Sequence, residues 1–415
     1  MTNLFKQNKM FRVFLMYQFF SSIGSAMFSM FILLSVHLIF QNPIYTGIAG
    51  FLMAAPRIAS FAVGPIVDRR NKITIMQVTT LLEFLVLSLL AFTPLLELIG
   101  ILFIFAVIFV YNIAALFEIP AGTALLPQIV KEDEIMQANS LINIVAMAGG
   151  IIIGAVLFTS LAGDINFSFL YGISAVFVAL AFGISLFLRI TNSKDATTTE
   201  KSQKKPNYIQ DLKQGAGFIK RSVLLFFVIA VVAMGFTAES AYVNRPMFLE
   251  THVGAQGYIV FVLMTLVGGI IASSVVGKLG DKYKVGRFVC VLLVLAGIVR
   301  VAFALLVPIS LIGGLITVVV FTALAFSVDI IYVSLRQKIP PKDMVGRVDT
   351  ISTTFTAISV ALGAFVGGFL GNAIADVGHI FIYQGVSYVI IGVAIILVPS
   401  VRKLPKMDGI ERVED

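Results

Sequence analysis

The chain has 415 residues, 59% of them hydrophobic and 13% charged, with one cysteine and a net charge of +8. A soluble domain usually carries about 25% charged residues, so the composition excludes an ordinary soluble protein. A lone Cys290 excludes a disulfide framework, and His37, His252 and His379 show no metal-ligand spacing.

Apolar runs follow one another at 12–38, 46–67, 73–93, 98–122, 138–161, 166–189, 223–246, 257–279, 288–308, 310–334, 348–373 and 379–400. Each approaches or exceeds the roughly 20 residues that cross a bilayer as a helix. Lipid offers the backbone no hydrogen bonds, so the runs are helices and not open sheet. The expected fold class is an all-α membrane protein of about twelve transmembrane helices. The first run is too long for a signal-peptide core and lacks a small-residue cleavage site, so it reads as a retained first helix.

All Lys and Arg except Arg57, Arg245 and Arg300 fall at the termini or in alternate loops and their borders, which hold Arg69, Arg70 and Lys72, Lys194 through Arg221, and Lys278 through Arg287. The opposite loops carry Glu97, Asp164, Glu250 and Asp376. The positive-inside rule then places both termini in the cytoplasm of a multi-pass plasma-membrane protein. Basicity here is a topology signal and not a nucleic-acid surface.

The loop Gly64-Pro-Ile-Val-Asp68-Arg69-Arg70-Asn71-Lys72 returns as Gly277-Lys-Leu-Gly-Asp281-Lys282 through Arg287. Asp68 and Asp281, Pro127 and Pro340, and Gly154 and Gly367 all share one spacing of 213 residues (281 − 68). A fixed internal offset marks a duplicated unit, and two parallel six-helix halves is a plan of many secondary transporters. The expected division is a bundle at 1–190, a linker at 191–221, a second bundle at 222–401 and a tail at 402–415. In the linker, Ile209, Leu212, Ala216 and Ile219 recur at helical spacing after Pro206, which predicts a short amphipathic surface helix.

Gly64, Asp68, Arg69 and Lys72 resemble the signature loop of the major facilitator superfamily, with Asn71 where a glycine is expected. The tract Pro120-Ala-Gly-Thr-Ala-Leu-Leu-Pro127, continuing to Ala138-Asn139-Ser140, resembles the branch that contains macrolide and enterobactin exporters. The resemblance implies the fold of that superfamily, two pseudo-symmetric six-helix bundles. It further implies a cytoplasmic gate in which Asp68 faces the start of the eleventh run near Arg347 and Asp349, and Glu118 pairs with Arg69 or Lys72. Its second-half counterpart comprises Asp281, Lys282, Arg287, Arg336 and Asp329. Solvated loop charges are the alternative reading of the same residues. Gly150 and Gly154, with Gly363 and Gly367, have the four-residue spacing of close helix packing. They also match the glycine spacing of drug–proton antiporters, without the proline.

Ionisable residues inside a membrane are costly and therefore functional by default. Arg57 and Glu83 lie at similar depth on adjacent runs and are expected to form a buried ion pair. Arg300 has no acidic residue at matching depth in its neighbours along the chain. Glu239 is expected to carry the coupled proton, with Asp329 next, although a fixed contact with Arg245 fits Glu239 equally. Gln18, Ser21, Ser22, Tyr111, Asn112, Glu239 and Asn244 are expected to line the substrate cavity.

The chain has no nucleotide-binding glycine loop, no His-Glu-x-x-His and no paired nucleophile and base, so no enzyme is expected. The expected function is export of an amphiphilic small molecule, macrolide-like or a siderophore, by a monomer. Protons would drive it, with no cofactor, nucleotide or nucleic acid. Nutrient uptake on the same fold and a non-transporting membrane sensor are the alternatives.

Overall fold

A computed structural model describes residues 8–92, 100–131, 134–147, 149, 166–189, 208–280, 282–341 and 344–410. The regular structure among them is helical, and eleven of the helices are long and apolar enough to cross a bilayer. The twelfth expected span falls at 138–161, of which residues 148 and 150–161 lie outside the described set.

By their internal contacts the residues divide into two compact units, 1–41 with 59–203, and 42–58 with 204–415. The first unit contains α1 (Lys9–Phe40), α3 (Ser60–Arg69), α4 (Lys72–Ala91), α5 (Ile101–Ile129), α6 (Ile135–Met147) and α7 (Phe167–Ser185). Several starts are set by an asparagine side chain accepting from the first turn: Asn8 from Phe11 N, Asn71 from Ile73 N and Asn166 from Phe169 N. Asn71 thus has a job that the glycine expected there could not perform. The hydroxyl- and carboxyl-bearing helices are held by packing, α7 against α1 and α4, and α4 against α5. An apolar core around Phe11, Phe14, Met76, Leu125 and Ala181 closes one end.

The second unit contains α2 (Pro43–Ala54), α8 (Tyr208–Arg221), α9 (Leu224–Tyr242), α10 (Arg245–Gly280), α11 (Val285–Leu306), α12 (Leu311–Lys338), α13 (Val345–Ala373) and α14 (Gly378–Leu397). Here α14 packs on α9 and α11, and α11 on α12. These are the pairings of α7, α1, α4 and α5 over again, which is how a duplicated chain should pack.

Two features depart from the expected division. Residues 42–58 belong with the second unit because α2 packs on α13 without side chains between them: a Cβ on Gly47 would lie 2.5 Å from the Cα of Gly368. The tail is docked, since Pro405 O accepts from Val285 N at 3.1 Å and Met407 O from Lys338 Nζ at 3.0 Å. Helix α10 also begins earlier than the apolar run suggests, at Arg245, and breaks at Gly254, whose φ of 73° suits glycine alone. The linker helix α8 lies on α13, with Gly215 and Ile219 buried and Ala216 exposed. Around both units, Leu102, Phe187, Ile309 and Leu397 present exposed apolar surface, as lipid-facing positions do.

Candidate functional site

Between α9, α10, α11, α12 and α14 lies a cavity of about 360 Å³. Its wall carries Glu239, Arg245, Arg300 and Asp329 together with Gln384, Tyr388 and Phe321. A larger hollow of about 850 Å³ between α8, α9 and α13 is almost wholly apolar, with Lys220 the sole charged residue on its wall among the described residues. Orientation of a ligand needs convergent polar groups, so the smaller cavity is the better site.

Arg300 is the best-defined group in it. Its Nε donates to Gln384 Oε1 at 2.6 Å. The guanidinium lies 4.7 Å from the ring centre of Phe303, 4.5 Å from Phe321 and 4.8 Å from Phe381. Ring faces are negative, so three of them hold a cation where no carboxylate pairs with it among the described residues. This answers the question of Arg300's partner: it is an amide and three rings, none of them formally charged. With Nε used, the planar fork keeps its terminal N–H groups for a ligand.

Arg245 begins α10 and is buried between the rings of Tyr242 (4.6 Å) and Tyr258 (5.7 Å), its Nε without a hydrogen-bond partner. Glu239, one turn before the end of α9, feels both Arg57 and Arg245 but its carboxylate forms no ion pair with either. Asp329 opens on the same cavity, with Arg336 in electrostatic reach. It was expected among the gate pairs. Arg336 instead pairs with Asp349 at 3.3 Å, the carboxylate nearer along the surface end of α13.

In the first unit, Glu118 was also expected at the gate. It accepts from Tyr17 Oη and from Ser21 Oγ (3.0 Å) instead of meeting Arg69 or Lys72. The Arg57–Glu83 pair is not formed: neither oxygen of Glu83 has a hydrogen-bond partner, and Arg57 is exposed. The reason is geometric, because Glu83 faces α5 and the carboxyl of Glu118. Depth along the chain gave no information about azimuth.

Of the remaining expected cavity residues, Ser21 serves Glu118, while Ser22 and Asn112 are satisfied on their own helices by Phe19 O and Ile108 O. Tyr111 stacks on Phe28 and reaches Ser25, and Gln18 is half-buried on α1. Asn244 is a correction. It is buried, and its amide donates to Ser240 O at 2.8 Å and Gly367 O at 2.7 Å, locking α9 to α13 instead of facing a ligand. Gly363 and Gly367 lie in that same seam, where added Cβ atoms would meet Phe236 O at 2.3 Å and Ser240 Cα at 2.6 Å.

Lys282 lies over its neighbour Tyr283 at 5.6 Å, Arg287 is exposed, and Arg347 donates to Gln214 on α8. Arg69 is exposed at the end of α3. Gly64 and Asp68 lie on α3, but the Asp68 side chain is outside what is described, as are Asp281, Gly150 and Gly154.

The family model for the Major Facilitator Superfamily matches residues 13–364. An uncharacterized MFS-type transporter of Bacillus subtilis (strain 168), YvqJ, is 24% identical over 305 residues, 71% of this chain and 69% of that protein. Among solved structures, the nucleoside transporter NupG superposes with a TM-score of 0.73 at 13% identity, covering 95% of this chain and 99% of NupG. A POT family transporter in complex with 5-aminolevulinic acid gives 0.72 at 14%, covering 97% and 98%. A bacterial homologue of the iron transporter ferroportin in an inward-facing state gives 0.69 at 14%, covering 94% and 98%. At such identities the structures speak for the fold alone. The resemblance to macrolide and enterobactin exporters gains no support from these comparisons. With its duplicated helical units and its span of the family model, the chain belongs to the major facilitator superfamily and is a multi-pass membrane transporter, not an enzyme.

Proposed function

We propose that this protein exports an amphiphilic small molecule bearing an anionic group, in exchange for protons. The observation that carries the substrate class is Arg300: a cation on the cavity wall, caged by three phenylalanine rings and left with free N–H groups. An anion on the guanidinium and an apolar body against the rings satisfy that wall together. Of the two substrate kinds expected from sequence, the siderophore-like one fits this better than a cationic macrolide.

Outward direction rests on the resemblance in residues 120–140 and on the loop charges, which support a membrane orientation with both termini cytoplasmic. In this reading the charged loops around Asp68 and Asp281 close the cytoplasmic side, and Glu239 and Asp329 answer to the proton gradient as the cavity changes its exposure. Everted vesicles from cells lacking their own efflux pumps test it. Accumulation of aromatic carboxylates or catechol-bearing anions under an imposed pH gradient, lost in Arg300→Gln, is the expected result. Uptake in right-side-out vesicles with none in everted ones would replace export by nutrient import.

A further inference from the structure

Glu83 is the least accommodated polar residue among those described. It is fully buried on α4, and neither carboxyl oxygen finds a donor. The ionisable groups around it are Glu118 and Tyr111 of α5 and Tyr17 of α1. On α7 the titratable side chain is Tyr171, engaged by Ser35 at 2.6 Å, and on α3 Arg69 is exposed. No ion pair reaches either glutamate among the described residues.

Two carboxylates against each other in a low-dielectric interior cannot both remain ionised, and one proton between them turns repulsion into a hydrogen bond. The donors say which oxygen keeps the negative charge. Glu118 Oε1 accepts two O–H groups, from Tyr17 and Ser21, which is the environment of a carboxylate. Tyr17 has one hydroxyl hydrogen and gives it to Glu118, so it is an acceptor toward Thr80 Oγ1 at 2.9 Å, whose own hydrogen lies between Tyr17 Oη and Met76 O at 2.7 Å. Glu83 receives nothing, which is the environment of the neutral acid.

We propose that Glu83 and Glu118 hold one proton between them, carried as the Glu83 acid and donated to the Glu118 carboxylate, and that this proton is exchanged during transport. The exchange rests on the antiport reading above; the shared proton does not. Release breaks the Glu83 O–H bond, sends the proton to water and leaves the electron pair on the carboxylate. Two like charges then face each other across α4 and α5, a state that only water or a movement of these helices relieves.

Infrared difference spectroscopy on the purified full-length protein in nanodiscs reads the carboxylic-acid carbonyl stretch. At neutral pH the wild type should show such a band that Glu83→Gln lacks. Glu118→Gln should shift it without removing it, and the Glu239→Gln, Asp329→Asn double variant should retain it. Wild-type and Glu83→Gln spectra that coincide would overturn the proposal. Should Glu83→Gln not fold, an unshifted band in Glu118→Gln overturns it equally. Loss of the band on adding sodium chloride to sodium-free protein would make the pair a metal-cation site instead. In proteoliposomes, pH-driven transport should vanish in Glu83→Gln while substrate counterflow persists. Wild-type transport that ignores the pH gradient, with the band present, would end the antiport reading and leave the shared proton standing.

Discussion

At the 213-residue offset, Glu83 and Glu118 of the first unit fall on Ala296 and Ile331 of the second, while Arg300 falls on Leu87 and Gln384 on Tyr171. Ala296, Ile331 and Leu87 are all buried in their own unit's apolar interior. The packing plan was therefore kept in both copies, and the intramembrane charge was not. One copy carries acids with hydroxyl donors and no cation; the other carries caged cations on a cavity with separate carboxylates. Charge at mid-bilayer is too costly to be kept without use, so the two copies have separate uses. The first unit's acid pair suits a proton beyond those of Glu239 and Asp329, and the second unit's caged cation suits a ligand with its own charge.

The largest effect expected from this contrast is at Arg300. Arg300→Ala should lower transport of an anionic substrate about tenfold or more, since a hydrogen bond to a charged group is worth about 1.5–3 kcal/mol and a factor of ten is about 1.4. Arg300→Lys should not restore it, because a point ammonium neither stacks nor forks. Wild-type transport by Arg300→Lys would break the assignment of ligand charge to the second unit.

The next effect concerns the frame that holds the second unit's site. Gly367→Val forces a side chain into the α9–α13 seam and should cost up to about 3 kcal/mol, read as a fall in detergent thermal stability. Gly217→Val on α8, where a Cβ meets nothing within 4 Å, is the control and should be near neutral.

The acid pair should split unequally. Glu118→Leu strands the Tyr17 and Ser21 hydroxyls and should cost about 2 kcal/mol. Glu83→Leu removes the one acid–carboxylate hydrogen bond but leaves both hydroxyl donors on Glu118, so it should melt above Glu118→Leu while losing pH-driven transport. Equal melting of the two leucine variants would erase the asymmetry on which the proton's position rests.

Smallest is Asp349→Asn, which breaks the Arg336 ion pair at the basic-loop end of α13. With the aspartate side chain 49% exposed, the stability loss should stay under about 1 kcal/mol in the same melting assay.

How much of this was legible in the sequence follows from what each signal encodes. Apolar runs near bilayer length and a fixed offset translate directly into helices and a repeated plan, as α4 and α11 show by starting at Lys72 and Val285. The surface helix was also legible, yet Ala216, expected inward, is exposed and Gly215 is buried. Hydropathy is silent about glycine, whose value lies in letting α8 reach the Arg347 carbonyl. Partners inside the membrane were the hardest to see. Matching opposite charges by depth joined Arg57 to Glu83, whereas Glu83 faces a second acid through a proton that no residue code displays. Arg300 was left without a partner because an amide and three rings carry no sign to match. Asn244 looked like a polar wall residue, and its two carbonyl partners explain it as a lock.

The seating of Gly215 on the Arg347 carbonyl has a bearing on where this polypeptide can be cut in two. Because α8 is bound to the start of α13, the surface helix is part of the downstream folding unit and not a free tether. A split transporter divided just before Tyr208 would keep α8 on the polypeptide that carries α13 and leave α2 alone to be supplied by the other, whereas a division after Arg221 would strip α13 of both covers and leave α8 dangling from the wrong fragment.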